Sequence, residues 1–556
     1  MNTDLPTTDG ARERRPHGPR RRASTLLAAA VLVLLFAPLA WFLLDRPDEL
    51  LPAYPFTEDA FYYFAVADHF SRGQIDVGAQ GEYENGFQPL QAVLLTPVML
   101  AARLTAGGDY HYAALRWFAA VELVLVALVA AAAAAVVFRL DGAGSTTPGS
   151  PRLWLAILLG AGWILVDPRL VETLPNGQET ALLVLGVLVL LGLLLARRPY
   201  RGETVLLPVV CGLVVLARID AVVLAVGALI VWEVMRRRRS ALLLLHDWGL
   251  FALTCGWWFV LNLVKTGSPV PSSGAYLMRG TVPVDVSRNV SSIVNSLASL
   301  SPIEAVARGW VVRALETARL PVDSAGAKPV VDGLFALGYW TAVALALLWL
   351  HRRARGPFER RRLLPLVPFA AYCLSLILFY SWFFAATWFI RRYLAPIETL
   401  ATVAEATLAV LLLERALAAR VRWRLVAVAA VLLLAVPLGR RHVTDLQNLR
   451  DPEPIRTYAR HYTLVRDLPA DARVASLQTG VLSYFRPTTI NLDGKMNRDA
   501  LTAVRSGTLL DYTLKQNIEY VVEWEWWLDR YMPPEFDQHF EVIRSILEER
   551  LWRRKD

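Results

Sequence analysis

The chain has 556 residues, 55% of them hydrophobic and 19% charged. A mean hydropathy of +0.38 and apolar blocks of about 20 residues, the length that crosses a hydrocarbon core, exclude an ordinary soluble globule. The net charge of +9 does not mark a nucleic-acid binder, because the arginines gather in short clusters between the apolar blocks, as they do in cytoplasmic loops.

Residues 1–23 are polar and arginine-rich and read as a disordered cytoplasmic tail. The run 24–44 is long for a signal-peptide core, has no clear small-residue cleavage site, and is read as the first spanning helix. It opens a membrane domain over 24–438, with further spans predicted near 113–138, 153–166, 181–196, 203–217, 221–235, 241–264, 333–350, 363–388, 393–413 and 425–438. The apolar stretch 87–104 fixes the parity of every later span. If it does not cross, Arg139/Arg152, Arg197/Arg198/Arg201, Arg236 to Arg239, Arg352/Arg353/Arg355 with Arg360 to Arg362, and Arg415/Arg420/Arg422/Arg424 share the side of the N-terminal tail. If it crosses, they all fall outside. The positive-inside rule selects the first choice, so 87–104 is read as a re-entrant or interfacial helix within a first external loop, 45–112. The expected architecture is mainly α: a polytopic bundle of about eleven spans in the inner membrane, N-terminus cytoplasmic. A second large external loop covers 265–332. Residues 439–556 form a small extracytoplasmic α/β domain, with β-like runs at 473–477, 488–492 and 520–523 and helical runs at 500–506 and 509–517.

The three cysteines, Cys211, Cys255 and Cys373, lie in or beside apolar blocks without CxxC spacing, and the eight histidines form no HxxxH pair. Neither a disulfide framework nor a zinc site is expected. The first loop reads Thr57-Glu58-Asp59-Ala60-Phe61-Tyr62-Tyr63-Phe64. Thr57 can cap the helix that starts here, and acids suit a helix N-terminus. The alternative is a general base that takes the proton of an attacking hydroxyl. A phosphate leaving group needs no acid, so one carboxylate suffices for an inverting transfer, unlike the paired acids of hydrolases. Downstream, Glu84-Asn85-Gly86-Phe87-Gln88-Pro89 is a turn or a polar wall.

These two segments, TEDAFYYF and NGFQPL, resemble the "DDAYYY … NGFHPLW" pattern of bacterial membrane proteins in the C-type glycosyltransferase superfamily. Asn176-Gly177-Gln178-Glu179-Thr180 is similar to its "NGLET", and Leu216-Ala217-Arg218-Ile219-Asp220 to its "LARPD". Asn262 with Lys265 to Gly274 resembles "N…FGxxxPvSG", and Asn491-Leu492-Asp493-Gly494 resembles "NLDG". The superfamily includes protein O-mannosyltransferases, aminoarabinose–lipid A transferases, oligosaccharyltransferases and mycobacterial arabinosyltransferases. The resemblance implies a helical bundle with a cavity open to the outer leaflet and a polyprenyl-phosphate-linked sugar as donor. It further implies transfer to an extracytoplasmic glycan, lipid or protein, with a catalytic acid in the first external loop. By position Glu58 and Asp59 match the acidic pair, with Asp59 the expected base. Glu58 stands where the pattern has Asp, and Gln88 where it has His; a divalent cation stays open. A glycolipid carrier and a non-catalytic membrane scaffold are the competing classes, although the inverted repeats and broken mid-membrane helices of transporters are not evident.

Basic residues on the outer face break the charge bias: Arg169, Arg218, Lys265, Arg279, Arg391 and Arg392. An arginine fork suits a lipid phosphate. Arg391, Arg392 and Lys265 are the expected phosphate ligands. The alternatives are snorkelling anchors for these three and an intramembrane pair with Asp220 for Arg218. Glu179 is a helix cap or a substrate contact. Tyr63, Asn85, Gln88, Asn176, Arg218, Asp220, Ser272, Asn491 and Asp493 complete the expected binding set. The tryptophans of Trp524-Glu525-Trp526-Trp527 suit either sugar stacking or a headgroup layer.

Overall fold

The computed structural model describes residues 19–45, 51–52, 55–78, 81, 83–140, 151–196, 202–236, 240–269, 271–272, 300–318, 327–355, 363–384, 390–418 and 457–555. The predicted span at 425–438, most of the loop 265–332 with Arg279, and the side chain of Arg391 lie outside the described residues.

Leu-, Val- and Ala-rich runs form the long helices. α1 is described over Pro19–Leu44, so Arg20, Arg21 and Arg22, expected in a disordered tail, lie in a helix. After it come α2 (Glu58–Ser71), α3 (Pro89–Ala106), α4 (Tyr110–Leu140), α5 (Pro151–Val166), the short α6 (Pro168–Thr173), α7 (Thr180–Leu194), α8 (Glu203–Ala217), α9 (Val222–Arg236) and α10 (Ala241–Thr266). α11 (Pro302–Thr317), α12 (Ala327–Arg355), α13 (Val367–Leu376), which runs on as a π-helix over Ile377–Phe384, and α14 (Ile390–Ala418) complete the bundle. Among the described residues five helices are long and apolar enough to cross a membrane. One of them is α3, at 18 residues, the stretch expected from the sequence to be re-entrant or interfacial.

Small residues set the helix crossings. A methyl on Gly160 of α5 would strike the backbone of Ala134 in α4, one on Gly186 of α7 would strike Val214 of α8, and one on Gly212 of α8 would strike Thr254 of α10. In lipid, where apolar side chains gain little by leaving the solvent, such close backbone approach supplies much of the packing. One end of the bundle is tied by Arg139 donating to the Gly192 carbonyl and by Arg236 pairing with Glu203 at 3.0 Å. The opposite end carries the start of α2, the α6–α7 turn, the α8–α9 turn and the start of α14.

On that second end sits the C-terminal domain. α15 (Thr457–Val465) leads into a mixed five-stranded sheet of order β2-β1-β3-β5-β4. β1 (Val474–Ser476) is parallel to β2 (Ile490–Asn491) and β3 (Tyr520–Trp524). β5 (Glu549–Arg554) is antiparallel to β3 and β4 (Phe540–Ile546). α16 (Gly480–Phe485) follows β1, while α17 (Arg498–Ser506) and α18 (Leu509–Lys515) precede β3. The three expected strands and two expected helices are present. The β4–β5 hairpin has no counterpart in the sequence reading: in β4 only Phe540 is buried, and β5 is rich in charge, so no apolar alternation announces it.

Candidate active site

The site begins at the turn before α7. Gly177 adopts φ +81°, and a side chain there would strike Phe56, Phe64 and Ala60, whose rings and methyl pack against the turn. The turn is held by Gln178 N donating to Asn176 Oδ1 at 3.0 Å and by Thr57 N donating to the Asn176 carbonyl at 3.2 Å. It sends the Gln178 side chain across to α2. There its Nε2 donates to Thr57 Oγ1 at 2.5 Å, while its Oε1 accepts from Arg392 Nη1 at 3.0 Å. Thr57 and Glu179 both occupy N-cap positions, yet neither side chain bonds a helix amide. The Glu179 carboxylate instead accepts the Tyr63 hydroxyl at 2.6 Å.

Arg392 closes the site by donating to Asp59 Oδ2, and its Nη2 donates to Tyr393 OH at 2.7 Å. A second cation reaches Asp59 from the sheet domain: Lys495 Nζ lies 3.8 Å from Asp59 Oδ1 and 3.6 Å from Asp493 Oδ2. Burial pushes the Asp59 carboxyl up, but the charges of Arg392 and Lys495 outweigh it and hold the carboxyl at about 2. Asp59 is thus a clamped anion, with nearly a third of its side chain still exposed. Glu58 points elsewhere. It accepts the amides of Gly480 and Val481, the latter at 3.2 Å, and burial, more than the neighbouring charge of Asp59, raises it to about 8. The two adjacent carboxylates therefore face different partners.

A second polar group adjoins the first through Tyr393. The Arg218 guanidinium lies 4.8 Å and that of Arg392 4.7 Å from its ring centroid, and Tyr380 stacks on it at 4.1 Å. Arg218 pairs with Asp220 and donates to Tyr380 OH at 3.1 Å; Tyr380 in turn donates to Asp220 at 2.6 Å. The Arg218–Asp220 pair, the alternative weighed against a binding role, is present, and the two aromatic rings join it to the Asp59 group. Gln88 Oε1 accepts from Ile219 N at 3.3 Å, fixing this turn to the start of α3. The side chain of Gln91, one turn into α3, donates to Glu122 at 2.8 Å and to the Gly177 carbonyl at 3.2 Å.

The remaining expected residues divide. Asn85 accepts from Ser272 N at 2.9 Å, and Ser272 Oγ donates to the Lys495 carbonyl at 2.8 Å, so both brace the lysine. Asn491 accepts from Gly494 N at 2.9 Å and Asp493 from Lys495 N at 2.8 Å, which shapes the turn that carries it. Lys265 is not in the cluster: it pairs with Asp76 at 3.1 Å near the Tyr83 ring. Arg169 is also elsewhere, 3.6 Å from Glu398. Trp524 is buried and donates to Glu549 at 3.1 Å, whereas Trp526 is half exposed. Sequence reasoning missed Lys495 and Gln178. Each is part of a segment already singled out, the first directly after NLDG and the second inside NGQET. Among the described residues no three metal-ligating side chains converge.

The fold is that of the C-type glycosyltransferases, as the ordered motifs imply. Among solved structures the chain is similar to ArnT from Cupriavidus metallidurans bound to undecaprenyl phosphate, with 13% identity, TM-score 0.50, and 95% of this chain and 98% of that one covered. The apo form of the same protein aligns with 15% identity, TM-score 0.50, and coverage of 96% and 98%. The oligosaccharyltransferase of Archaeoglobus fulgidus in complex with zinc and sulfate aligns with 12% identity, TM-score 0.50, and coverage of 94% and 73%. No family model matches the chain, and no curated protein matches it by sequence. At these identities the likeness carries the fold, and the chemistry must rest on the residues.

Proposed function

We propose that the protein is an inverting glycosyltransferase that moves a sugar from a polyprenyl phosphate to a hydroxyl of an extracytoplasmic glycan, lipid or protein. The observation that carries this reading is the Asp59–Arg392–Lys495 cluster, one carboxylate held by two cations from distant segments. The undecaprenyl phosphate bound by ArnT supports the donor class. As an ion pair with its carboxyl near 2, Asp59 is a weak base. An incoming donor phosphate competes for the same two cations. Once they turn to the phosphate, Asp59 loses its counter-charges and becomes more basic. The acceptor oxygen then attacks the anomeric carbon, its proton passes to Asp59, and the carbon–oxygen bond to phosphate breaks with its electron pair leaving on the lipid phosphate. Arg392 and Lys495 receive that charge as it builds.

The topology that goes with this reading keeps α3 on the surface. Both flanks of α3 meet the C-terminal domain. Before it, Glu84 accepts from Arg498 N at 3.1 Å; beyond it, the His111 carbonyl accepts the Tyr484 hydroxyl at 2.8 Å. A domain on one side of a bilayer does not reach both ends of a spanning helix. The cluster and the sheet domain then face the outside, and the Arg139 and Arg236 end of the bundle faces the cytoplasm, in accord with the positive-inside rule.

The test is a panel of polyprenyl-phosphate sugars offered to the purified protein. Asp59→Asn is expected to keep lipid-phosphate binding and lose transfer by about 10²- to 10⁴-fold. Full transfer by that variant rejects Asp59 as the base. Movement of glycolipid across vesicles without sugar transfer would favour a carrier instead.

A further inference from the structure

We propose that Glu58 is a positioning residue, which fastens the C-terminal sheet domain to α2 so that Lys495 reaches Asp59. Five successive backbone amides, 477 to 481, form the fastening. The first two, Leu477 N and Gln478 N, donate to the Glu523 carboxylate of the sheet domain itself, at 3.0 and 3.1 Å. The third, Thr479 N, donates to Tyr62 OH of α2 at 3.2 Å. The last two, Gly480 N and Val481 N, donate to Glu58. One short stretch of backbone is thus shared between two buried carboxyl groups, Glu523 of the sheet domain and Glu58 of α2. Buried amides need such partners, and removing one strands the other.

The path from this stretch to the active site is continuous. The Asn491 side-chain amide donates to the Leu477 carbonyl at 3.2 Å and to Thr479 Oγ1 at 3.1 Å. Its carbonyl oxygen accepts from Gly494 N and Met496 N, at 2.9 and 3.3 Å, and so sets the turn on which Lys495 stands. The contact has no slack at two points. A methyl on Gly480 would strike the Glu58 carbonyl, and one on Gly86 would strike the Lys495 carbonyl. Glu58 is 6% exposed and turned toward the sheet domain, so its reach is to the domain rather than to a bound sugar.

The role assigned to Lys495 rests on the transferase reading; the docking does not, and it can be followed without substrate. Hydrogen exchange of the full chain in lipid nanodiscs reads the amides 477–481 directly. In Glu58→Ala their exchange is expected to rise by about 10-fold or more. Transfer is expected to fall as far as it does in Lys495→Ala, and the double variant is expected to fall no further, since both remove one delivered cation. Glu58→Gln keeps a buried acceptor oxygen and is expected to hold both docking and transfer within about 5-fold of the parent. Gly480→Ala attacks the same contact from the other side and is expected to reproduce Glu58→Ala, which covers the case in which the Glu58 variant does not insert. Loss of transfer in Glu58→Gln to the level of Asp59→Asn, with exchange unchanged, would overturn the proposal in favour of a chemical role. Parent-like exchange in both Glu58→Ala and Gly480→Ala would also overturn it, as would faster exchange without loss of transfer. If the parent protein transfers no sugar at all, the transferase reading falls while the exchange result still decides the docking.

Discussion

Asp59 and Glu58 are neighbours in sequence with opposite electrostatics, and their difference is testable by titration. Two cations hold Asp59 at about 2. In Arg392→Gln one of them is gone, the ionised form loses support, and the carboxyl is expected to move upward. The acid limb of the substrate-free enzyme's kcat/KM profile reports it; a limb that does not move would detach Asp59 from Arg392 in solution. For Glu58 the sign runs the other way. Burial raises it from 4.5 to about 8, against the lowering effect of the two amides and Lys495 and with the raising effect of Asp59; Tyr62 and Glu523 also face it. Between those two values the docked carboxyl keeps a proton that a free one has lost, so docking is expected to weaken as pH rises from about 4.5 to 8. Exchange of amides 477–481, corrected for intrinsic rates, checks this at pH 5 and 8.5. A pH-independent protection factor would rule it out.

At the scale of elements, the turns matter more than the helices. The α6–α7 turn places Gln178 between Thr57 and Arg392 only because Gly177 takes a positive φ under a lid of Phe56 and Phe64. Gly177→Ala combines backbone strain with overpacking and is expected to cost on the order of 2–4 kcal/mol. Thermal unfolding in detergent measures it, and an unchanged midpoint would mean the turn has room to relax. The helices themselves were largely legible in the sequence. An apolar run of spanning length has few other uses, so α4, α5, α7, α8, α9 and α10 fall within a few residues of their predicted positions. The motif segments too were legible, since their order along the chain matched a known pattern. What stayed hidden depends on tertiary contact. Thr57 and Glu179 have the sequence signature of helix caps, yet Gln178 and Tyr63 claim their side chains. Lys265 looked like Arg392, a cation at a span end, and only the fold separates the one beside Asp76 from the one beside Asp59. Lys495 is an ordinary lysine after a turn until the sheet domain sets it over α2.

For the molecule as a whole, the proposed orientation predicts which surfaces reagents reach. Ile75, half exposed in the loop after α2, and Ser240, exposed at the start of α10, stand on opposite sides in that topology. With Cys211, Cys255 and Cys373 replaced, a membrane-impermeant maleimide is expected to label Ile75→Cys in intact cells and Ser240→Cys only after lysis. The reverse pattern would invert the bundle and put Asp59 in the cytoplasm.

The contact between Glu58 and Gly480 joins positions 422 residues apart. Synthesis must therefore have passed residue 480 before that contact can close. Until residue 495 is made, Asp59 lacks one of the two cations that hold it in the folded chain. A product that stops before residue 495 carries Asp59 without Lys495, and under the proposed function it is expected to bind a donor phosphate less well and to transfer no sugar, which an assay of a chain ended before that residue checks.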